Sequence, residues 1–213
     1  MTIEKGKEWG HRAPRPENFA YAKDDADLIS QWRHASSIPF VVLAGDLHTS
    51  LGRPTWRDAA RTEETADVQF LPVDILKVEV STGDQLSGDG ITEMYALSSV
   101  QIGSWFSRGR FVVVSNCGFV GESNIAPRAH PNDGDFDVVT VSATIDWRQR
   151  LQAHSRARFG THVPHPQIAM ERGDSHSWTK ESSRERLFVD GAEVKRWNAV
   201  HVSVIADACT VVV

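Results

Sequence analysis

Asn124-Ile-Ala-Pro-Arg-Ala-His-Pro-Asn-Asp-Gly-Asp-Phe-Asp-Val-Val139 places a polar turn with a central Asp-Gly directly before an apolar, strand-like run. Asp-Gly supplies the left-handed backbone that a tight turn requires, and β-branched residues after it favour an extended chain. The same alternation of short apolar runs and turn residues recurs on both sides of it. Val68 to Val80 alternates over much of its length, Met94 to Ile102 and Arg110 to Ser115 follow, and Phe136 to Ala143 comes next. After Pro166 the chain offers Gln167 to Glu171, Ser177 to Lys180, Arg186 to Val189, Ala199 to Ile205 and Cys209 to Val212. One helix interrupts them, because Asp146 can cap Trp147 to Arg158, whose exposed side is basic. Many short strands with turn signals at modest spacing predict a mainly β (α+β) fold built on a β-sandwich.

The first part of the chain reads differently. Phe19 to Ala22 is a short apolar run, Asp24-Asp25 can cap a helix with Leu28, Ile29 and Trp32 at helical spacing, and Pro39 to Ala44 reads as a buried strand. This predicts a small N-terminal β-α-β fragment. Trp56 to Thr65 is polar and reads as a short exposed helix or a linker. Two regions follow: residues 1–66 as fragment and linker, and residues 67–213 as the sandwich.

Composition limits the functional classes. The chain has 213 residues with 40 % apolar content, enough for one good core. Net charge is −5 with both signs interspersed, so nucleic acid is not expected as a partner. The only cysteines, Cys117 and Cys209, read as incidental thiols of an intracellular protein, and no stretch approaches the length of a membrane span. A cytoplasmic location is the expectation.

Taken together, these turns resemble those of lipid kinases of the diacylglycerol and sphingosine kinase type. The match runs in order over most of Val68 to Val213 and carries Pro127 to Asp137, Ser115-Asn116 followed by Gly121, Gly160 to Pro166, and Phe188-Val-Asp-Gly-Ala-Glu193. It implies a β-sandwich like the C-terminal domain of diacylglycerol kinases, beside a shortened portion of a nucleotide domain.

The resemblance also implies roles. Asp133 would hold a magnesium ion through its carboxylate, with the carbonyls of His130 and Asp135; oxygen donors on a tight turn suit a hard cation. The bland alternative is an Asn-Asp-Gly turn with solvated acids. Asp190 stands where the family places a general base acting on the lipid hydroxyl. The following family glutamate is replaced by Ala192, with Glu193 one residue late and thus aimed at the opposite face.

Gly45-Asp-Leu-His-Thr-Ser-Leu-Gly52 resembles the end of the family's nucleotide motif. It retains Asp46, Leu47, Leu51 and Gly52 but lacks the expected threonine and asparagine. Gly45 and Asp46 are the nucleotide-binding candidates; alternatively Asp46 only caps a helical turn that Gly52 ends.

A kinase cradles phosphates with backbone N–H groups of a glycine loop. The composition closest to it, Ser87-Gly-Asp-Gly-Ile-Thr92, lies between two predicted antiparallel strands, where Asp-Gly is a routine hairpin turn. His130, His162 and His165 lack the ligand spacing of a zinc site, and Ser175 lacks the glycines of a nucleophile elbow. The leading expectation is a divergent diacylglycerol kinase-like protein, non-catalytic or weakly catalytic, that binds a lipid or a partner. A second copy or a partner chain would cover an exposed sandwich face, and membrane contact would be peripheral at most. The alternative is an active lipid kinase dependent on ATP and magnesium.

Overall fold

The computed structural model describes residues 8–54, 67–83 and 90–213. Trp56 to Thr65, and Ser87 to Asp89 of the glycine-loop candidate, lie outside the described residues. Among the described residues fifteen strands and three helices follow in order. The strands are β1 His11–Pro14, β2 Ala20–Ala22, β3 Phe40–Val42, β4 Asp67–Ser81, β5 Ile91–Ala96, β6 Ser99–Ile102, β7 Phe111–Ser115, β8 Phe119–Val120, β9 Ser123–Asn124, β10 Phe136–Val141, β11 Ile168–Gly173, β12 Ser175–Thr179, β13 Leu187–Val189, β14 Ala192–Val194 and β15 Ala199–Val212. The helices are α1 Asp25–Trp32, α2 Asp46–Ser50 and α3 Trp147–Ala157.

The long antiparallel pair β4 and β15 forms the spine of a seven-stranded sheet. At one end β5 and β12 flank this pair; at the other, β1 pairs with β4, and β3 with β2 extends from β15. The second sheet has six strands in the order β11-β10-β7-β6-β13-β14. Between the two sheets, Leu76, Val78 and Val80 of β4 and Val200 and Val202 of β15 meet Val100, Ile102, Val112, Val114, Phe136 and Val138. The spacing of two in each strand is the period that sends alternate side chains to one face.

Phe111 to Ser115 is buried throughout. The reason is that β7 is covered on both faces: Val112 and Val114 face the other sheet, while Phe111 and Val113 pack under α3 with Ala153 and Ala157. A run buried on both sides reads as continuously apolar rather than alternating.

The β-α-β fragment is present: β2 and β3 are parallel and α1 connects them. Its Leu28, Phe40 and Leu47 share a core with Val73, Ile75, Leu97, Cys209 and Val211, so it is packed on the sandwich. Two expected strands differ in detail. Met94 to Ile102 is broken at Leu97-Ser98, where the chain leaves one sheet and enters the other. Ala199 to Ile205 and Cys209 to Val212 are a single strand whose register shifts between Ile205 and Cys209, with Asp207 at φ 52°. Serine at the crossing and a short Ala-Asp-Ala interruption carry no periodicity that would predict either outcome.

No helix among the described residues is long and apolar enough to cross a membrane. Cys117 and Cys209 are both buried and free.

Candidate functional site

Three aspartates meet where the N-terminal fragment joins the sandwich. Asp25 begins α1 but does not cap it; that role falls to Asp24, whose side chain accepts from the Asp27 N–H at 2.9 Å. Asp25 turns inward instead, and its Oδ2 accepts from the N–H groups of Asp46 at 2.8 Å and Leu47 at 3.4 Å, at the start of α2. The approach is close: a Cβ on Gly45 would lie 2.4 Å from Asp25 Oδ1, and Gly45 sits at φ 107°. Glycine at 45 is therefore fixed by sterics and backbone conformation before any ligand is considered.

Asp46 reaches across the junction, its Oδ1 accepting from the Gly121 N–H at 2.7 Å. Asp190 is the most heavily engaged of the three. Its Oδ1 accepts from the N–H groups of Ser98 at 3.0 Å and Ser99 at 2.9 Å and from Ser98 Oγ at 2.7 Å, while Oδ2 accepts from the Leu97 N–H at 2.6 Å. These donors are the backbone of the sheet crossing, which has left one ladder and not yet joined the next. Asp190 itself sits in a two-residue hairpin turn between β13 and β14, with φ 43° at Asp190 and 77° at Gly191. Positive φ at both central residues is the turn that Asp-Gly favours.

Burial governs the electrostatics. It pushes the Asp25 carboxyl up to about 7, with the Asp190 charge adding to the rise and the Asp46 and Leu47 N–H groups opposing it. Asp46 rises to about 6, again through burial first, against the Gly121 N–H and with the Asp190 charge. Asp190 is also raised by burial, against its four donors. Three acids facing one another in a poorly solvated junction disfavour full ionisation.

The turn that would cradle phosphate in a β-α-β unit is the one leading from the first strand into the helix, where N–H groups converge on the anion. Here that turn joins β2 to α1 and reads Ala22-Lys-Asp-Asp-Ala-Asp27, with no glycine and three acids. Asp24 and Asp27 already occupy two of its donors, Asp24 accepting from the Asp27 N–H and Asp27 from the Lys23 N–H, each at 2.9 Å. The other glycine candidate is placed differently: Gly90 precedes β5, which pairs antiparallel with β4, Ser81 opposite Ile91, as a hairpin connection does.

The Asp133 turn is held from both sides. Asp133 Oδ1 accepts from the Asp135 N–H at 3.2 Å, and its carboxylate pairs with Arg172, which also reaches Asp135 at 3.1 Å. Beneath it lies Asp74, a fully buried acid that no motif singles out. Asp74 accepts from the N–H groups of Gly134 at 2.9 Å and Asp207 at 2.8 Å and from Asn132 Nδ2 at 3.3 Å. It lies on β4 inside an apolar alternation, where no spacing marks a polar partner sixty residues away.

His130 packs its ring against Trp9 and accepts through Nδ1 from the Asn132 N–H. Among the described residues no three His, Cys, Asp or Glu side chains are grouped to hold a metal ion. A cation on Asp133 would have to displace the Arg172 guanidinium. Glu193, expected on the face opposite Asp190, is exposed and paired with Arg186 at 2.7 Å and 2.6 Å.

The junction thus brings together Asp190 and Asp46, both singled out in the sequence, and adds Asp25, Ser98 and the Gly121 N–H. The metal candidates form a separate centre.

A solved structure described as a diacylglycerol kinase from Bacillus anthracis str. Sterne superposes with a TM-score of 0.61 at 15 % identity, covering 90 % of this chain and 75 % of that one. A second structure from the same organism gives 0.60 at 13 % identity, with the same coverage. Likeness at this level of identity establishes the fold. No curated protein sequence matches. Residues 92–213, more than half of the chain, match the family model described as the YegS C-terminal NAD kinase beta sandwich-like domain. The resemblance to diacylglycerol kinase-like proteins is thereby borne out, and the chain belongs to the YegS C-terminal NAD kinase beta sandwich-like domain family.

Proposed function

We propose that this chain is a divergent diacylglycerol kinase-like protein that does not transfer phosphate and uses its β-sandwich to bind a lipid or a partner. The observation that carries the reading is the β2 to α1 turn. A phosphate-binding turn offers free N–H groups and a positive helix end, and glycine lets the backbone approach the anion. The turn here carries Asp24, Asp25 and Asp27 in place of glycines, and acid side chains accept from two of its N–H groups, those of Lys23 and Asp27. A triphosphate brought there would meet like charge.

Asp190 supports the same reading. A general base must be available to take the substrate proton, whereas the Asp190 carboxylate is engaged by four hydrogen bonds from within the chain, three on Oδ1 and one on Oδ2. The test is transfer of label from γ-labelled ATP to diacylglycerol in mixed micelles with magnesium. The expected outcome is no labelled phospholipid above the protein-free control; steady product formation proportional to protein would overturn the proposal.

A second reading, an active lipid kinase dependent on ATP and magnesium, draws on one observation. The acids at the junction have carboxyl groups raised toward neutrality, as a general base at neutral pH requires. Under that reading Asp190→Asn abolishes transfer.

A further inference from the structure

Helix α3 carries an apolar stripe on the side turned away from the core. Ala153 and Ala157 are buried with Arg150, whereas Trp147 is 62 % and Leu151 47 % exposed, four residues apart and hence on one face. Phe106, 73 % exposed, leans toward the same face from the turn after β6, its ring 4.8 Å from that of His154. Arg150 holds this turn in place, donating to the carbonyls of Ser107 at 2.7 Å and Gly109 at 2.9 Å. Between turn and helix lies a groove of about 340 Å³ with Phe106 on one bank and Trp147 and Leu151 on the other.

The charged residues that line the groove, Arg108 and Arg150, are of one sign. Arg148, Arg156 and Arg158 lie on or at the end of α3 and are exposed, as is Arg108 on the facing turn. The helix has no acid within its span; Asp146 precedes it and is occupied as its cap, accepting from the Arg148 N–H at 2.9 Å. This concentration occurs in a chain of net charge −5, so the even mixture of signs along the sequence conceals a local basic face. Exposed aromatic side chains flanked by arginines suit the boundary between lipid headgroups and acyl chains, where rings are half immersed and guanidinium groups meet phosphate.

We propose that this face, Phe106, Trp147 and Leu151 with Arg108, Arg148 and Arg158, docks on the surface of an anionic lipid bilayer. A second copy of the chain is the poorer occupant, because a two-fold contact through this face would set its arginines against one another. The docking does not depend on whether the chain transfers phosphate.

The experiment is co-sedimentation of the full chain with vesicles of phosphatidylcholine alone and of phosphatidylcholine with an equal amount of phosphatidylglycerol. Binding is expected to the mixed vesicles at low salt only, with release as salt is raised. Arg108→Gln with Arg148→Gln and Arg158→Gln should weaken partition on the order of 100-fold, at about tenfold or less per arginine. Phe106→Ser with Trp147→Ser should weaken it about tenfold, and circular dichroism melting should show each variant folded.

Equal binding to both vesicle types, no binding to either, or folded variants that bind like the parent would overturn the proposal. Self-association of the parent in light scattering that Phe106→Ser with Trp147→Ser abolishes would also overturn it, making a second copy the occupant.

Discussion

Asp25 shows how a single side chain couples the N-terminal fragment to pH. Its carboxyl rises from 3.8 to about 7 because burial outweighs the two N–H groups it accepts from. The folded state therefore holds a proton that the unfolded chain has released, and the contribution of this group to stability falls as pH rises from about 4 to about 7, then levels off. Asp25→Asn preserves an acceptor for the Asp46 N–H and removes the ionisation. Relative to the parent, the variant should gain on the order of 1–3 kcal/mol between pH 5 and pH 8, read by urea unfolding at both values. A difference independent of pH would mean that Asp25 ionises normally in the folded protein.

The sequence could not reveal this role. Asp24 and Asp25 are adjacent acids before a helix, and both fit a cap; only the packing of α2 distinguishes the one that faces inward.

At the scale of elements, the hairpin β13–β14 and the crossing from β5 to β6 are fastened by Asp190. The Asp-Gly turn was legible, since the dipeptide between apolar runs specifies it. Its partner was not, because Ala96-Leu-Ser-Ser99 reads as part of one continuous strand and nothing local marks the change of sheet. The β-sandwich itself was legible in the alternation of β4 and the valine-rich β7, and α3 in its Asp146 cap and basic face. Asp74 stayed hidden because its donors, Gly134 and Asp207, come from distant turns.

Asp190→Ala would leave the N–H groups of Leu97, Ser98 and Ser99 without their acceptor and force alanine into a left-handed backbone. The expected loss of stability is about 3–5 kcal/mol by denaturant unfolding. A variant as stable as the parent would show that the clamp does not hold the crossing, and would return Asp190 to the role of a free base.

Across the whole molecule, a β-α-β fragment is packed on a diacylglycerol kinase-like sandwich, and the turn from its first strand into its helix is acidic. The junction resembles a place for chemistry, yet its carboxylates bind the chain's own backbone. The basic aromatic face of α3 lies on the second sheet, away from the β2 to α1 turn in the chain's topology, and gives the molecule a means of meeting lipid without a nucleotide. Whether the chain binds nucleotide at all is decided by calorimetric titration of the purified chain with ATP in the presence of magnesium, repeated with ADP. No heat of binding and no thermal stabilisation are expected up to millimolar nucleotide; saturable binding in the micromolar range would contradict the proposal that the chain does not transfer phosphate.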